Sequence, residues 1–274
     1  ICIRTEKRMP SHFHETAIVD AKAQLGERVQ VGPYAIIEAG AVLGDDCSLE
    51  AHSIVKGSAR LGNGVAVGHF SVIGGNPQHL SFNPDTPSTI EIGSGVRFGE
   101  GVTAHRSMYE NGKTIIRENS FLMGNAHVAH DCALGREVVL ANGAILGGHV
   151  TLCDHVFIGG GAGVHQFVRV GEGVMVGGLG EISKDVAPQV LAMGRNRTCG
   201  LNMVGLRRRN VSDPEISELK NLYRSFLMKP GNLSQRADEF LGRDSAVQTP
   251  IGRAFVEFFI DGDRGFARSE RTKA

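Results

Sequence analysis

Tryptophan is absent from the 274 residues, and aromatic residues of every kind make up only 6%. No apolar run approaches the roughly 20 residues that a membrane-spanning helix needs, and the opening stretch, ICIRTEKRMP, has charge but no hydrophobic signal core. No membrane span is expected, and Met9 reads as a start preceded by an upstream extension, residues 1–8. Net charge is missing too: 29 basic residues balance 29 acidic ones, so bulk charge selects neither nucleic acid nor a membrane surface. The five cysteines (Cys2, Cys47, Cys132, Cys153 and Cys199) are odd in number and lack CxxC spacing. That speaks against a disulfide framework and for a reducing, cytoplasmic compartment. No GxxxxGK[ST] loop is present, so nucleoside triphosphate hydrolysis is unsupported and no cofactor is expected.

Glycine, in contrast, is abundant, and it follows a repeat. Leu25, Val31, Ile37, Leu43, Leu49, Val55, Leu61, Val67 and Ile73 fall six apart without a miss. Small residues (Ala35, Ala41, Cys47, Ser53, Ala59, Ser71) stand two positions earlier, and glycine often follows. The phase slips by one across residues 74–91 and resumes at Ile92 and Phe98. After a polar interval it runs from Ile116 through Leu122, Val128, Leu134, Leu140 and Leu146 to Ile182. A helix repeats near 3.6 residues and a strand at 2, so a strict six requires very short strands joined by tight turns. Three strands per coil place residues about 18 apart in one column, at an inter-strand spacing of about 4.8 Å. The chain therefore reads as mainly β: a parallel β-helix over residues 13–188, after an N-terminal extension, 1–12. Two stretches rich in Pro, Gly, Asn or Ser, 74–89 and 105–113, read as projecting loops.

After Asp185 the hexads stop. Ser212 with Glu215 has the form of a capping box, Pro214 suits an early helical position, and Ile216, Leu219, Tyr223 and Phe226 make one apolar stripe. A second helix begins at Thr249-Pro250 and carries Phe255, Phe258 and Phe259, so 189–274 reads as a connecting segment and a small α-helical C-terminal domain. The polar tail from Asp261 is expected to fray.

Histidine marks the second half of the coil. One coil on from His130 is Gly148, beside His149, and one coil further is Gln166, beside His165. This edge suits a cleft with His130 as general base, since an imidazole titrates near working pH. Asp131 would orient the ring, provided a corner lets two neighbouring side chains meet. A solvent-facing edge also tolerates polar residues without function, and His155 reads that way. Zinc is the rival ligand, imidazole being a common zinc donor. The His127 to His130 spacing differs, however, from the separated ligand pair of gamma-class carbonic anhydrases, and no metal is expected. Arg207-Arg208-Arg209 suits an anion or an acidic carrier, or is simply a solvated cluster.

NAHVAHDCALG (125–135), LANGAILGGHV (140–150), IGGGAGVHQFVRVG (158–171), MVGG (175–178) and NMVGLRRR (202–209) together resemble the acyl-carrier-protein:UDP-N-acetylglucosamine O-acyltransferases of lipid A biosynthesis. The resemblance covers the coil, both loops and the helical C-terminus. It implies a left-handed coil, a homotrimer with clefts between subunits, and a C-terminal domain that helps to bind acyl carrier protein. It implies that His130, supported by Asp131, deprotonates the sugar 3-hydroxyl, which attacks a 3-hydroxyacyl thioester, and that the Gly148 N–H holds the oxyanion. His127 and His149 would position the sugar, His165 and Gln166 would contact substrate and nucleotide, and Asn202 with Arg208 would form the nucleotide end. Gly178 sits where the family sets acyl-chain length, and glycine leaves room for a longer chain.

The sequence departs from the family in the first loop. Gln78-His79-Leu80-Ser81-Phe82 stands where the usual pattern is Gln-Asp-Leu-Lys-aromatic, so His79 and Ser81 replace two charged substrate contacts, and Val204 replaces an acidic residue. The acceptor is therefore open between UDP-N-acetylglucosamine, a related UDP-sugar and an amino-sugar analogue. The related N-acyltransferases carry an N-terminal uridine-binding domain, for which hexads starting this early leave no room. A non-catalytic carrier-binding β-helix is the third reading.

Overall fold

The computed structural model describes residues 10–243 and 247–269. Cys2, Met9 and the expected extension over residues 1–8 lie outside the described residues. The chain forms two compact units, Ile1–Asp131 and Cys132–Ala274.

In the first unit, pairs of extended residues alternate with tight turns and assemble into three parallel sheets. One sheet holds His12–Phe13, Gln30–Val31, Ser48–Leu49, Ala66–Val67, Arg97–Phe98 and Phe121–Leu122, in that order. The second residue of each strand points inward: Val31, Ile37, Leu43, Leu49 and Val55 are at most 3% exposed, and the small residues Ala35, Ala41, Cys47 and Ser53 are fully buried in the corners. Burying each aliphatic side chain contributes on the order of 1.5–3 kcal/mol. The turns need a left-handed residue, which bulky side chains seldom adopt: Arg28, Tyr34, Asp46, His52 and Phe70 all have φ between 56° and 60°. Hydrogen bonds to the preceding coil offset that strain, as from Asp46 N–H to Glu27 O (2.8 Å) and His52 N–H to Pro33 O (3.0 Å).

The phase slip now has a cause. Ser48–Leu49 pairs with residues 18 further on, but Val67 pairs with Phe98, 31 further on, so the insertion is two hexads plus one residue. Phe98 pairs with Leu122, 24 further on, a whole extra hexad that leaves the phase intact. The chain leaves the coil over 76–88 and 106–112, between the strands Val72–Gly75 and Thr89–Ile92, and between Thr103–His105 and Lys113–Ile116.

The second unit repeats the three-sheet coil. One sheet runs Val139–Leu140, Phe157–Ile158, Met175–Val176 and Val190–Met193, and ends with the antiparallel strand Arg197–Leu201, which stops the repeat. Four helices follow among the described residues: α1 (Met203–Arg208), α2 (Asp213–Leu227), α3 (Leu233–Leu241) and α4 (Pro250–Glu257). At the start of α2, the Glu215 carboxylate accepts from the Ser212 N–H (3.0 Å) and hydroxyl (2.6 Å), and Ile216, Leu219, Tyr223 and Phe226 are buried. Thr249 caps α4 by accepting from Gly252 N–H (3.0 Å). Phe226, Phe255 and Phe259 form a fully buried aromatic cluster, with Phe226 and Phe259 stacked at 4.9 Å. The expectation of a frayed tail fails up to Ser269. Asp185 accepts from Ala267 N–H (2.8 Å), Arg268 bridges to Arg197, and Ala267 is 1% exposed, so backbone pairing with the coil fixes a segment whose polarity suggested none.

Cys47, Cys132, Cys153 and Cys199 are free thiols. Burial pushes the Cys47 and Cys153 thiols up, away from the reactive thiolate. No described helix is long and apolar enough to cross a membrane.

Candidate active site

Successive residues of a strand face opposite ways, so His130 and Asp131 can meet only at a corner. The structure puts them there: both lie in the turn after His127–Val128, and Asp131 takes the left-handed φ of 60°. Asp131 tolerates that conformation as aspartate commonly does in turns, and its N–H donates to Thr114 Oγ1 (2.8 Å). His130 Nδ1 donates to Asp131 Oδ2 at 2.8 Å, with the two side chains only 9% and 10% exposed. The other carboxylate oxygen, Oδ1, accepts a short hydrogen bond from the Ser107 hydroxyl, and Met108 N–H donates to Oδ2 at 3.2 Å. A carboxylate only accepts, so Nδ1 carries the shared proton, and in the neutral tautomer that this contact selects Nε2 is the acceptor nitrogen. That is the state of a general base.

Around this dyad lie three more imidazoles. His127 Nδ1 meets Thr103 Oγ1 at 2.8 Å, and its ring lies 5.1 Å from that of His105, centroid to centroid. His105 Nδ1 donates to the Asn76 carbonyl (2.7 Å). Burial lowers the basicity of both His105 and His127, and it is lowered further by His130 for His105 and by His105 for His127. Both are therefore neutral near pH 7. His79, from the first loop, stands edge-on to His130 at 6.0 Å and bonds through Nδ1 to Ser81 Oγ (2.9 Å). The structure thus brings His79, Ser81, His127, His130 and Asp131 together. Ser107, Thr103 and His105 were missed, because HRSM reads as loop by composition and nothing in it announces a partner for Asp131.

The remaining sequence-selected residues belong to the second unit. Gly148 and His149 form a turn; Gly148 is buried, its carbonyl accepts from Phe167 N–H (3.1 Å), and its N–H has no acceptor among the described residues. The ring stacked on His149 is that of Phe167 (4.4 Å, planes at 6°), because both take the left-handed turn position, with φ of 62° and 64°. His165 Nδ1 instead lies 2.8 Å from an Arg264 guanidinium nitrogen. Since arginine only donates, the His165 proton is on Nε2, outward as a donor. Gln166 is exposed beside it. His149, Phe167 and Arg264 line a cavity of about 830 Å³ with Asp185 and residues 260–263.

A second cavity in this unit, about 710 Å³, joins Asn202 and Arg208 to Phe157, Met175, Leu201 and Val204. Asn202 is already engaged: its Oδ1 accepts from Gly205 N–H (3.0 Å), capping α1, and its Nδ2 donates to the Gly173 carbonyl (3.0 Å). The three consecutive arginines part company. Arg209 is bonded to Gln189 Oε1 and Glu172 Oε1, whereas the Arg208 side chain makes no ion pair or hydrogen bond among the described residues. Gly178 is exposed, and an added Cβ would meet only the Gly160 carbonyl at 3.4 Å. It lines neither cavity.

Six-residue repeats of short parallel strands, three to a coil, bearing a carboxylate-held imidazole at a turn define a hexapeptide-repeat transferase, and the family described as bacterial transferase hexapeptide (six repeats) matches residues 113–148. The family described as UDP N-acetylglucosamine O-acyltransferase, domain 2, matches residues 185–267. An acyl-[acyl-carrier-protein]–UDP-N-acetylglucosamine O-acyltransferase of Paraburkholderia phymatum is 40% identical over 264 residues, 94% of this chain and 100% of that protein. The solved UDP-N-acetylglucosamine acyltransferase from Campylobacter jejuni superposes with a TM-score of 0.87 at 30% identity, covering 94% of this chain and all of that one. The corresponding structure from Moraxella catarrhalis gives 0.86 at 34% identity, over 93% and 99%. The chain belongs to the acyl-[acyl-carrier-protein]–UDP-N-acetylglucosamine O-acyltransferase family. Its fold is the family's left-handed parallel β-helix with a small helical C-terminal part.

Proposed function

We propose that the chain transfers a 3-hydroxyacyl group from acyl carrier protein to the 3-hydroxyl of UDP-N-acetylglucosamine, the first step of lipid A biosynthesis, with His130 as general base. The observation that carries the assignment of the base is the Ser107–Asp131–His130 chain, in which Asp131 engages Nδ1 and so assigns the role of base to Nε2. Nε2 takes the proton of the sugar hydroxyl as its oxygen attacks the thioester carbonyl. The imidazolium that forms is stabilised by Asp131, as a buried carboxylate does for a charged ring. The Gly148 N–H, without a protein acceptor among the described residues, supplies the oxyanion donor, a contribution of about 3 kcal/mol in comparable acyl transfers. Collapse of the tetrahedral adduct breaks the C–S bond, and the thiolate leaves with the proton returned by His130.

His79, Ser81, His127 and His149 position the sugar, His165 offers a donor, and Gln166, Asn202 and Arg208 serve the nucleotide end, Arg208 as its free cation. Gly178 bears on acyl-chain length. The enzyme works as a cytoplasmic homotrimer, with its helical C-terminal domain receiving acyl carrier protein; a membership in the family supports both parts of that reading.

The test is turnover of 3-hydroxyacyl carrier protein with UDP-N-acetylglucosamine or its 3-amino analogue. Acylated sugar is expected, and His130→Ala should lose at least about 100-fold of the rate, the scale of general-base catalysis. No product with either acceptor would sink the acyltransferase reading, and near-normal His130→Ala activity would remove His130 as base.

A further inference from the structure

Arg106 is 9% exposed, yet its guanidinium meets no carboxylate among the described residues. Every donor that it commits goes to the first loop. Nη1 donates to the Thr86 carbonyl (2.6 Å) and, more weakly, to Ser88 Oγ (3.4 Å); Nη2 donates to the Pro84 carbonyl (2.6 Å); Nε donates to Asn76 Oδ1 (3.1 Å). Phe82 lies over the same group, 5.1 Å from its centroid. The backbone joins in, with Arg106 N–H on the Gly75 carbonyl (3.0 Å). One fork therefore holds both ends of a loop whose remaining span carries His79 and Ser81, and a planar five-donor fork is the side chain able to do so. On either side of Arg106 the same segment grips the site: His105 binds the Asn76 carbonyl, and Ser107 binds Asp131.

We infer that Arg106 is a positioning residue for the acceptor sugar: it fixes the loop over residues 76–88 so that His79 and Ser81 form a wall beside His130. The inference rests on the acyltransferase reading. Arg106 itself touches no reacting atom; the loop carries its effect. Losing the fork loosens the wall and not the dyad, so the acceptor KM should move and the proton chemistry should not.

The experiment uses the full-length protein with Arg106→Gln and Arg106→Lys. For both, the KM for the UDP-sugar should rise about tenfold, the KM for acyl carrier protein should stay put, and the pH dependence of kcat should keep its wild-type form. Hydrogen exchange of amides in 76–88 should quicken by at least about tenfold while the coil stays protected. Unchanged loop exchange, or a fall in kcat with no change in acceptor KM, would overturn the inference. If Arg106→Gln does not fold, Phe82→Ala removes the ring over the guanidinium without touching the buried charge, and should shift acceptor KM and loop exchange in the same direction by about threefold; no shift in either overturns it. If the wild-type protein acylates no sugar, the functional reading fails alone, and loop exchange in the variants still decides whether Arg106 holds the loop.

Discussion

The ring of His79 stands edge-on to the ring of His130, with centroids 6.0 Å apart and planes at 86°. The first loop thus reaches the proposed base itself. Where the family resemblance implies a carboxylate and an ammonium, this loop offers an imidazole bonded to the Ser81 hydroxyl.

Restoring the carboxylate tests what the exchange does. His79→Asp is expected to change the ratio of kcat/KM for UDP-N-acetylglucosamine over its 3-amino analogue by about tenfold, because a carboxylate favours an ammonium more than a hydroxyl. Competition between the two acceptors in one reaction measures this directly. A ratio equal to that of the wild type would show that the exchange is neutral for acceptor choice.

Ser107 holds one oxygen of Asp131 while His130 holds the other. Removing a hydrogen bond to a charged group costs about 1.5–3 kcal/mol, so Ser107→Ala should lower kcat by at least about tenfold and leave both KM values near normal. Steady-state kinetics with both substrates varied would show it. An unaltered kcat would mean that Met108 N–H and His130 suffice to aim the carboxylate.

Two buried imidazoles set an acid limit on stability. His105 and His127 have folded-state pKa values below the ordinary 6.5, chiefly through burial. The unfolded chain therefore binds more protons as pH falls below about 6.5, and stability that is complete above that point is lost on the way down. Thermal unfolding across this range should show a steeper decline for the wild type than for His105→Asn, whose amide still donates to the Asn76 carbonyl. Parallel curves would show that His105 does not contribute.

Arg208 and Arg209 should separate in function. Arg208→Ala is expected to raise the KM for the UDP-sugar about tenfold with an unchanged melting temperature. Arg209→Ala breaks bonds to Gln189 and Glu172 and should cost on the order of 1–3 kcal/mol of stability in denaturant titrations. The reverse assignment would place the ligand cation at Arg209.

The aromatic cluster predicts a large stability effect remote from the site. Phe226 is fully buried and packs on Phe240, Phe255 and Phe259, so Phe226→Ala should destabilise by about 3–5 kcal/mol, the range for such cavities. A loss below about 1 kcal/mol would show that α2, α3 and α4 repack around the gap.

Much of the site was legible because the coil converts sequence spacing into position. His130 and Asp131 could be read as a pair only by assuming a corner, and the left-handed φ of Asp131 supplies it. Phe167 was legible in principle, lying 18 residues after His149 in the same column, although an exposed phenylalanine at a turn carries no chemical signal of its own. Ser107, His105 and Arg106 were not legible. They lie in a stretch where the hexad is broken, and a broken repeat no longer says which residue stands next to which.

The sequence alone determined the coil, since a six-residue apolar period has one low-energy solution: short strands with small residues at the corners. It also determined where two helices begin, because capping is local chemistry between residues three apart. Only the tertiary structure decided which side chains serve Asp131, which arginine stays free, and how the tail is held. Each of these depends on contacts between segments far apart in the chain, where an insertion of one residue or one hexad changes the partner. The edge-on contact of His79 with His130 is of this kind, made by a loop whose carbonyls at Pro84 and Thr86 are held by Arg106 from outside it.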